Sequence, residues 1–140
     1  MPVDADLIAY LDPLVGETAG TDLFEGPLGE GPDNAVAITH YMGEAAEDRV
    51  MGASLTAPGI EVARVQLMVR NTSKSSARSK ALAYHALLDN LQAYTSAGGV
   101  RYFAIESLDS EPYCLGQDTG GSAGLRWRYV AHYRVEKSRG

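Results

Sequence analysis

Three kinds of residue in this chain carry enough chemistry to found a function. They are a glycine-rich stretch, three histidines, and arginines that recur at alternate positions of two apolar segments. The glycine-rich stretch, GQDTGGSAG, runs from Gly116 to Gly124 with four glycines in nine residues. A phosphate cradle needs such glycines to follow a strand and open a helix, whose N-terminal amides and dipole meet the anion. A nucleotide loop of that kind also needs a lysine followed by serine or threonine, yet no lysine occurs between Lys80 and Lys137. Residues after Gly124 alternate with period two, which is a strand and not a helix. The stretch therefore reads as the tip of a long β-hairpin, and its glycine content predicts a mobile tip that becomes ordered against a partner.

The histidines, His40, His85 and His132, fall in three different segments, each without a second histidine or a cysteine at metal-ligand spacing. No metal site is expected. Cys114 is the only cysteine, which excludes an intrachain disulfide and a multi-cysteine metal site. It precedes the hairpin tip rather than a helix, so a small, partly buried structural cysteine is expected. Ser, His and Asp are all present, but no G-x-S-x-G elbow carries a nucleophile. Glu44, Glu47 and Asp48 cluster without cation-site spacing and read as a solvated loop. No catalytic residue and no cofactor is assigned.

The arginines are the unusual feature. Arg126, Arg128 and Arg134 share one face of a period-two segment with His132, and Arg64 and Arg70 share a face of another. One reading is contact with a nucleic-acid backbone. A subunit interface fits better, because arginine is enriched there and forms bidentate pairs with carboxylates. The charge distribution supplies such carboxylates. Residues 1–48 hold eleven Asp or Glu and no Lys or Arg, whereas residues 49–140 hold twelve Lys or Arg against seven acids, a net +5. Chance and a solvated surface would explain this split blandly. A molecule acidic in one part and basic in another is also suited to head-to-tail packing of its own copies. The overall charge of −6 argues mildly against nucleic acid.

These residues must be positioned by the surrounding elements. Asp4 is placed to cap a first helix, with Asp6 in its first turn. Leu7, Ile8, Leu11, Leu14 and Val15 follow at helical spacing, and Pro13 should end or kink the helix. Residues 16–34 are turn-rich, with a short strand around Leu23 and Phe24. A strand is predicted over Ala35–Met42, a loop over Gly43–Gly59 and a strand over Ile60–Val69, where Ala63, Val65, Leu67 and Val69 alternate with Arg64, Gln66, Met68 and Arg70. Caps at Ser73–Ser76 open a helix predicted to reach Tyr94, with Ala77, Ala81, Tyr84, Leu88 and Leu91 as its apolar stripe and Gly98-Gly99 as its stop.

Strands over Val100–Leu108, Pro112–Leu115 and Leu125–Glu136 complete the chain. The last carries Leu125, Trp127, Tyr129, Ala131, Tyr133 and Val135 on its apolar face. The order α-β-β-(β)-α-β-β-β gives an α+β class, a mostly antiparallel sheet packed by two helices with a long C-terminal hairpin. A length of 140 residues fits one domain over residues 1–140. No basic start with an apolar run marks a secretion signal, and no segment reaches the length of about 18 apolar residues that spans a bilayer. Cysteine usage fits a cytosolic folding compartment.

Three blocks, taken in this order, carry a resemblance. They are DLFEGPLGEGPDNAVAITHYMG, then VARVQLMVRNTSKSSARSKALAYHALLDNL, then EPYCLGQDTGGSAGLRWRYVAHYRVE. The second, a strand of the form VQ-x-x-VR followed at once by an amphipathic helix, is the most specific. Together they resemble the tail terminator, or minor capsid, proteins of long-tailed bacteriophages and gene transfer particles. The resemblance implies a virion protein without catalysis: a six-membered ring on the head-proximal end of the tail tube. Such a ring stops polymerisation of tube protein and offers a surface to the head-completion proteins of the neck, while DNA passes through its lumen without sequence-specific binding. It would assemble in the bacterial host cytoplasm. Two other classes stand beside it: another neck or head-completion protein, and a small ligand- or nucleic-acid-binding domain using the arginine face.

Overall fold

The first helix, α1 (Val3–Leu11), buries Val3, Leu7, Ile8 and Leu11, which recur at the spacing of one helical face. A computed structural model of the chain describes residues 3–29, 32–47, 60–89, 91–120 and 124–138. Asp4 lies inside the first turn of α1 and not at its cap, because Val3 is already helical. Asp6 turns inward instead: it is 1 % exposed and accepts a 2.5 Å hydrogen bond from the Tyr102 hydroxyl. Burial, then this bond and the Asp6 charge, push the Tyr102 hydroxyl well above the ordinary phenol range. Pro13 ends α1 as expected, in a short 3-10 turn over Asp12–Leu14. Leu14, expected on the apolar face, is exposed because the α-helical period stops at Leu11.

The first strand, β1 (Leu23–Glu25), runs parallel to β2 (Ala35–Glu47). β2 passes beyond Met42, where the sequence pointed to a loop. The reason is its partner β3 (Ile60–Asn71), whose antiparallel ladder continues through Gly43–Ala63 and Glu44–Val62 to Glu47–Ile60. Irregularities at His40–Met42 and Glu44–Glu47 absorb the poor strand formers. His40 keeps its register opposite Val65, yet it is exposed while Val36 and Ile38 are buried. The remainder of the expected loop, residues 48–59, lies outside the described residues.

The second helix, α2 (Lys74–Leu88), starts where the Ser73 side chain accepts from the Ser76 amide. Its buried residues are Ala77, Ala81, Tyr84 and Leu88, four of the five in the stripe read from the sequence; Leu91 falls beyond the helix. It stops six residues before Tyr94, because neighbouring backbone captures the chain that leaves it. Asp89 Oδ1 accepts from Ser107 N at 3.1 Å, and the Leu91 carbonyl accepts from Ile105 N at 3.0 Å. Residues Gln92–Thr95 then form β4, antiparallel to β5 (Arg101–Ser107). Tyr94 satisfies its apolar ring against Tyr10 and Tyr102, at centroid distances of 4.8 and 5.8 Å. Gly98-Gly99 serves the β4–β5 turn and not a helix end.

The strand β6 (Tyr113–Gly120) is longer than the expected Pro112–Leu115, and it pairs with β7 (Gly124–Ser138) down to Gly120–Gly124. The glycine stretch is thus part of a hairpin, and its tip, residues 121–123, lies outside the described residues. β7 organises the sheet. Along one side it pairs with β3 from Asn71–Trp127 to Ile60–Ser138. Along the other it pairs first with β6 and then with β5. The described strands form one curled sheet of order β1-β2-β3-β7-β5-β4, with β6 beside β7. This is the α+β arrangement read from the sequence.

Both helices lie on one face, α1 against β1 and β2, and α2 against β3, β7 and β5. The core between them contains Val65, Leu67, Val69, Ala131, Tyr133 and Val135. No described helix is long and apolar enough to cross a membrane.

Candidate assembly interface

Because side chains alternate across a strand, burying one set of β3 and β7 residues under the helices puts the other set on the opposite face. That set is Arg64, Gln66, Met68 and Arg70 from β3, with Arg126, Arg128, Val130, His132 and Arg134 from β7. Strand register brings them together: Arg64 opposite Arg134, Gln66 opposite His132, Met68 opposite Val130, and Arg70 opposite Arg128. Like charges placed directly across a ladder repel, so each pair needs an answer from elsewhere.

The answers differ along the face. Arg70 is buried and donates to the carbonyls of Gly29 and Pro32, at 2.7 and 2.6 Å. Arg126, also buried, stands 3.7 Å from Asp33. These two arginines thereby hold a segment of the same chain over their end of the sheet. Gly26 directs it there: its positive φ of 82° turns the chain out of β1 while its amide bonds the Ile38 carbonyl. Arg134 pairs with Glu136 at 2.5 Å. Arg128 is half-buried, its Nε is shielded from solvent, and no hydrogen bond reaches that atom. It borders a cleft of about 200 Å³ lined also by Pro27, Leu28, Ala37, Thr39 and Met68.

His132 sits at the centre of the face. Asp109 Oδ2 accepts from the His132 amide at 2.8 Å and from ring Nδ1 at 3.1 Å. With the proton on Nδ1, Nε2 is left to accept from the Gln66 amide 3.3 Å away. The rings of Tyr41 and Tyr113 flank it at 5.7 and 6.2 Å, and both tyrosines are exposed. Sequence reading found the arginines and His132 but missed this frame. Nothing in the local pattern joins Asp109 and Tyr113, which are four residues apart, to Tyr41 or to His132 in distant parts of the chain. The turn signals at Gly26-Pro27 marked a loop but not the face it would cover.

The other histidines stand apart. His40 is exposed on β2, and His85 on α2 has Nδ1 2.7 Å from the Tyr133 hydroxyl. Burial, then the charges of Asp89 and Asp109, push that hydroxyl above the usual phenol range. Cys114 is exposed, not partly buried, because β6 lies at the sheet margin. Among the described residues no three His, Cys, Asp or Glu side chains group as metal ligands.

A family model described as bacteriophage tail terminator protein matches residues 10–136, nearly the whole chain. The chain belongs to that family. It is a structural tail protein. No curated protein matches the chain. Exposed tyrosines offer large, stiff contact area with a polar tip, and arginines offer bidentate pairing.

Proposed function

We propose that copies of this chain close into a six-membered ring on the head-proximal end of the tail tube. The ring covers the surface on which a further tube ring would dock, so polymerisation stops there. Its other side receives the head-completion protein of the neck, and DNA passes through the lumen without sequence-specific binding. No catalysis is involved. The protein works at the junction of tail and neck in the virion, after assembly in the host cytoplasm.

The observation that carries this reading is the family match over residues 10–136. What supports a self-assembling ring is the face of the sheet opposite the helices, with Arg64, Arg128, His132 and Arg134 beside Tyr41 and Tyr113. A contact between unlike patches repeats around a closed ring, and the acidic first third of the chain supplies the second patch. Arg70 and Arg126 act within the chain, as anchors of Gly29, Pro32 and Asp33.

Purified protein tests the reading on its own. Electron microscopy is expected to show six-fold rings, and adding the protein to isolated tails of normal length is expected to join them to DNA-filled heads. A protein that stays monomeric and leaves heads and tails apart would reject it.

A further inference from the structure

Arg128 poses a question that the rest of its face does not. Its neighbour across the ladder is another cation, Arg70, two of whose bonds go to the neutral carbonyls of Gly29 and Pro32. The Asp33 carboxylate stands with Arg126. Arg128 therefore keeps a positive charge, partly withdrawn from water, with a shielded Nε that no hydrogen bond satisfies. Such an arrangement costs the isolated chain stability. On the β6 side the position opposite Arg128 is Gly116. Its φ of 114° disfavours other residues, and a Cβ built there would meet nothing within 4 Å. Approach to Arg128 from that side stays open.

The cleft beside it has a definite size. Sites for drug-sized ligands run about 300–1,000 Å³. This one, at about 200 Å³, is smaller. It suits one side chain rather than a cofactor. Leu28 and Met68 offer an apolar wall for methylenes, and Thr39 and Gln66 offer polar groups. Arg128 offers a guanidinium for the end of that side chain.

We infer that this cleft is a receptor for a single carboxylate side chain, an Asp or Glu presented by a second copy of this chain. The inference rests on the ring proposed above and names a contact within it. Charge complementarity selects the occupant. Eleven acids and no Lys or Arg fall in residues 1–48, so each copy carries both the arginine cleft and a surplus of carboxylates to insert into the next copy. The carboxylate binds Arg128 side-on through two N–H donors, satisfies Nε, and offsets the Arg70–Arg128 repulsion. Arg128 is thus a group whose partner arrives on assembly.

The test is a substitution series, Arg128→Gln and Arg128→Lys, read in two ways. Sedimentation over a range of protein concentration and salt measures self-association, and thermal unfolding of the dilute subunit measures its stability. Arg128→Gln is expected to weaken self-association at least tenfold while leaving the melting temperature unchanged or higher, because it removes an unsatisfied charge. Arg128→Lys keeps the charge without the fork and should fall between. Wild-type association should weaken as salt rises.

Unchanged assembly of Arg128→Gln, or a clearly lower melting temperature, overturns the receptor. A variant that assembles normally yet fails to join tails to heads overturns the second copy as occupant and assigns the carboxylate to another tail or neck protein. A wild-type protein that never self-associates also overturns it. The tail-length phenotype of phage lacking the protein does not depend on Arg128, so the terminator reading stands or falls separately.

Discussion

The two faces of the sheet are made by the same strands yet obey different rules. On the helix-covered face, β3 and β7 present Val65, Leu67, Ala131 and Tyr133, all inaccessible to solvent. Shape and apolar area decide what is tolerated there. On the opposite face the same strands present Arg64, Gln66, Arg128 and His132, half-buried, with Gln66 and His132 side chains 3.3 Å apart and the Nε of Arg128 shielded without a hydrogen bond. One face closes the fold, and the other is where the proposed ring contact falls. A residue's value therefore depends on its parity along the strand, and then on whether the 26–33 segment reaches it.

Arg126 and Arg128 sharpen that second condition and carry the largest expected effect. They are two residues apart on the same face, but Arg126 is shut in against Asp33 and Arg128 is not. Arg126→Glu sets a carboxylate against Asp33 in a buried position, and it should destabilise the subunit by about 3–5 kcal/mol. Denaturant unfolding of the isolated subunit checks this. A loss below about 1 kcal/mol would mean that the two arginines are equivalent.

The two faces of β3 can be compared at adjacent positions. Leu67→Ala opens a cavity under α2 and is expected to cost about 2–5 kcal/mol. Met68→Ala, on the free face beside the cleft, should cost the subunit about 1 kcal/mol or less. Equal losses would contradict a single core on one side of the sheet.

Much of this was legible in the sequence. The alternation in β3 and β7 shows both faces, because burial under helices leaves a period of two that composition alone cannot imitate. The stripe Ala77, Ala81, Tyr84, Leu88 shows α2 for the corresponding reason at period 3.6. The end of α2 was not legible. Leu91 and Tyr94 continue the helical spacing, and only the hydrogen bonds from Ile105 and Ser107 turn that stretch into a strand. The far half of β2 was hidden in the same way, since Gly43 and Glu44 become strand through their pairing with β3. At the interface the arginines were visible as a set, but their division was not. Arg70 and Arg126 are set apart by a loop that meets them from a distant part of the chain.

The smallest effect concerns how the helical layer is tied down. Glu17 accepts from the Tyr84 hydroxyl at 2.6 Å and pairs with Lys80 at 2.7 Å, fastening the loop after α1 to α2. Burial pushes its carboxyl up. The bonds from Lys80 and Tyr84 and the Lys80 charge outweigh this and hold it below its ordinary value of 4.5. A depressed carboxyl stabilises the fold above that ordinary value, and its contribution is lost as pH falls through the lowered one. Acid titration of stability below about pH 4.5 should therefore be shallower in Glu17→Gln than in the parent. Identical slopes would remove Glu17 from the account. No comparable acid effect is expected from Met68→Ala on the free face.

The central claim is that the free face serves a ring which ends the tail, and tail length reports on it most directly. Electron microscopy of a lysate made without this protein measures that length. The account predicts DNA-filled heads lacking tails, beside free tails of irregular and often excessive length. Tails of uniform normal length that fail to join heads would contradict it and assign the protein to the head side of the neck. Normal infectious particles would contradict it altogether.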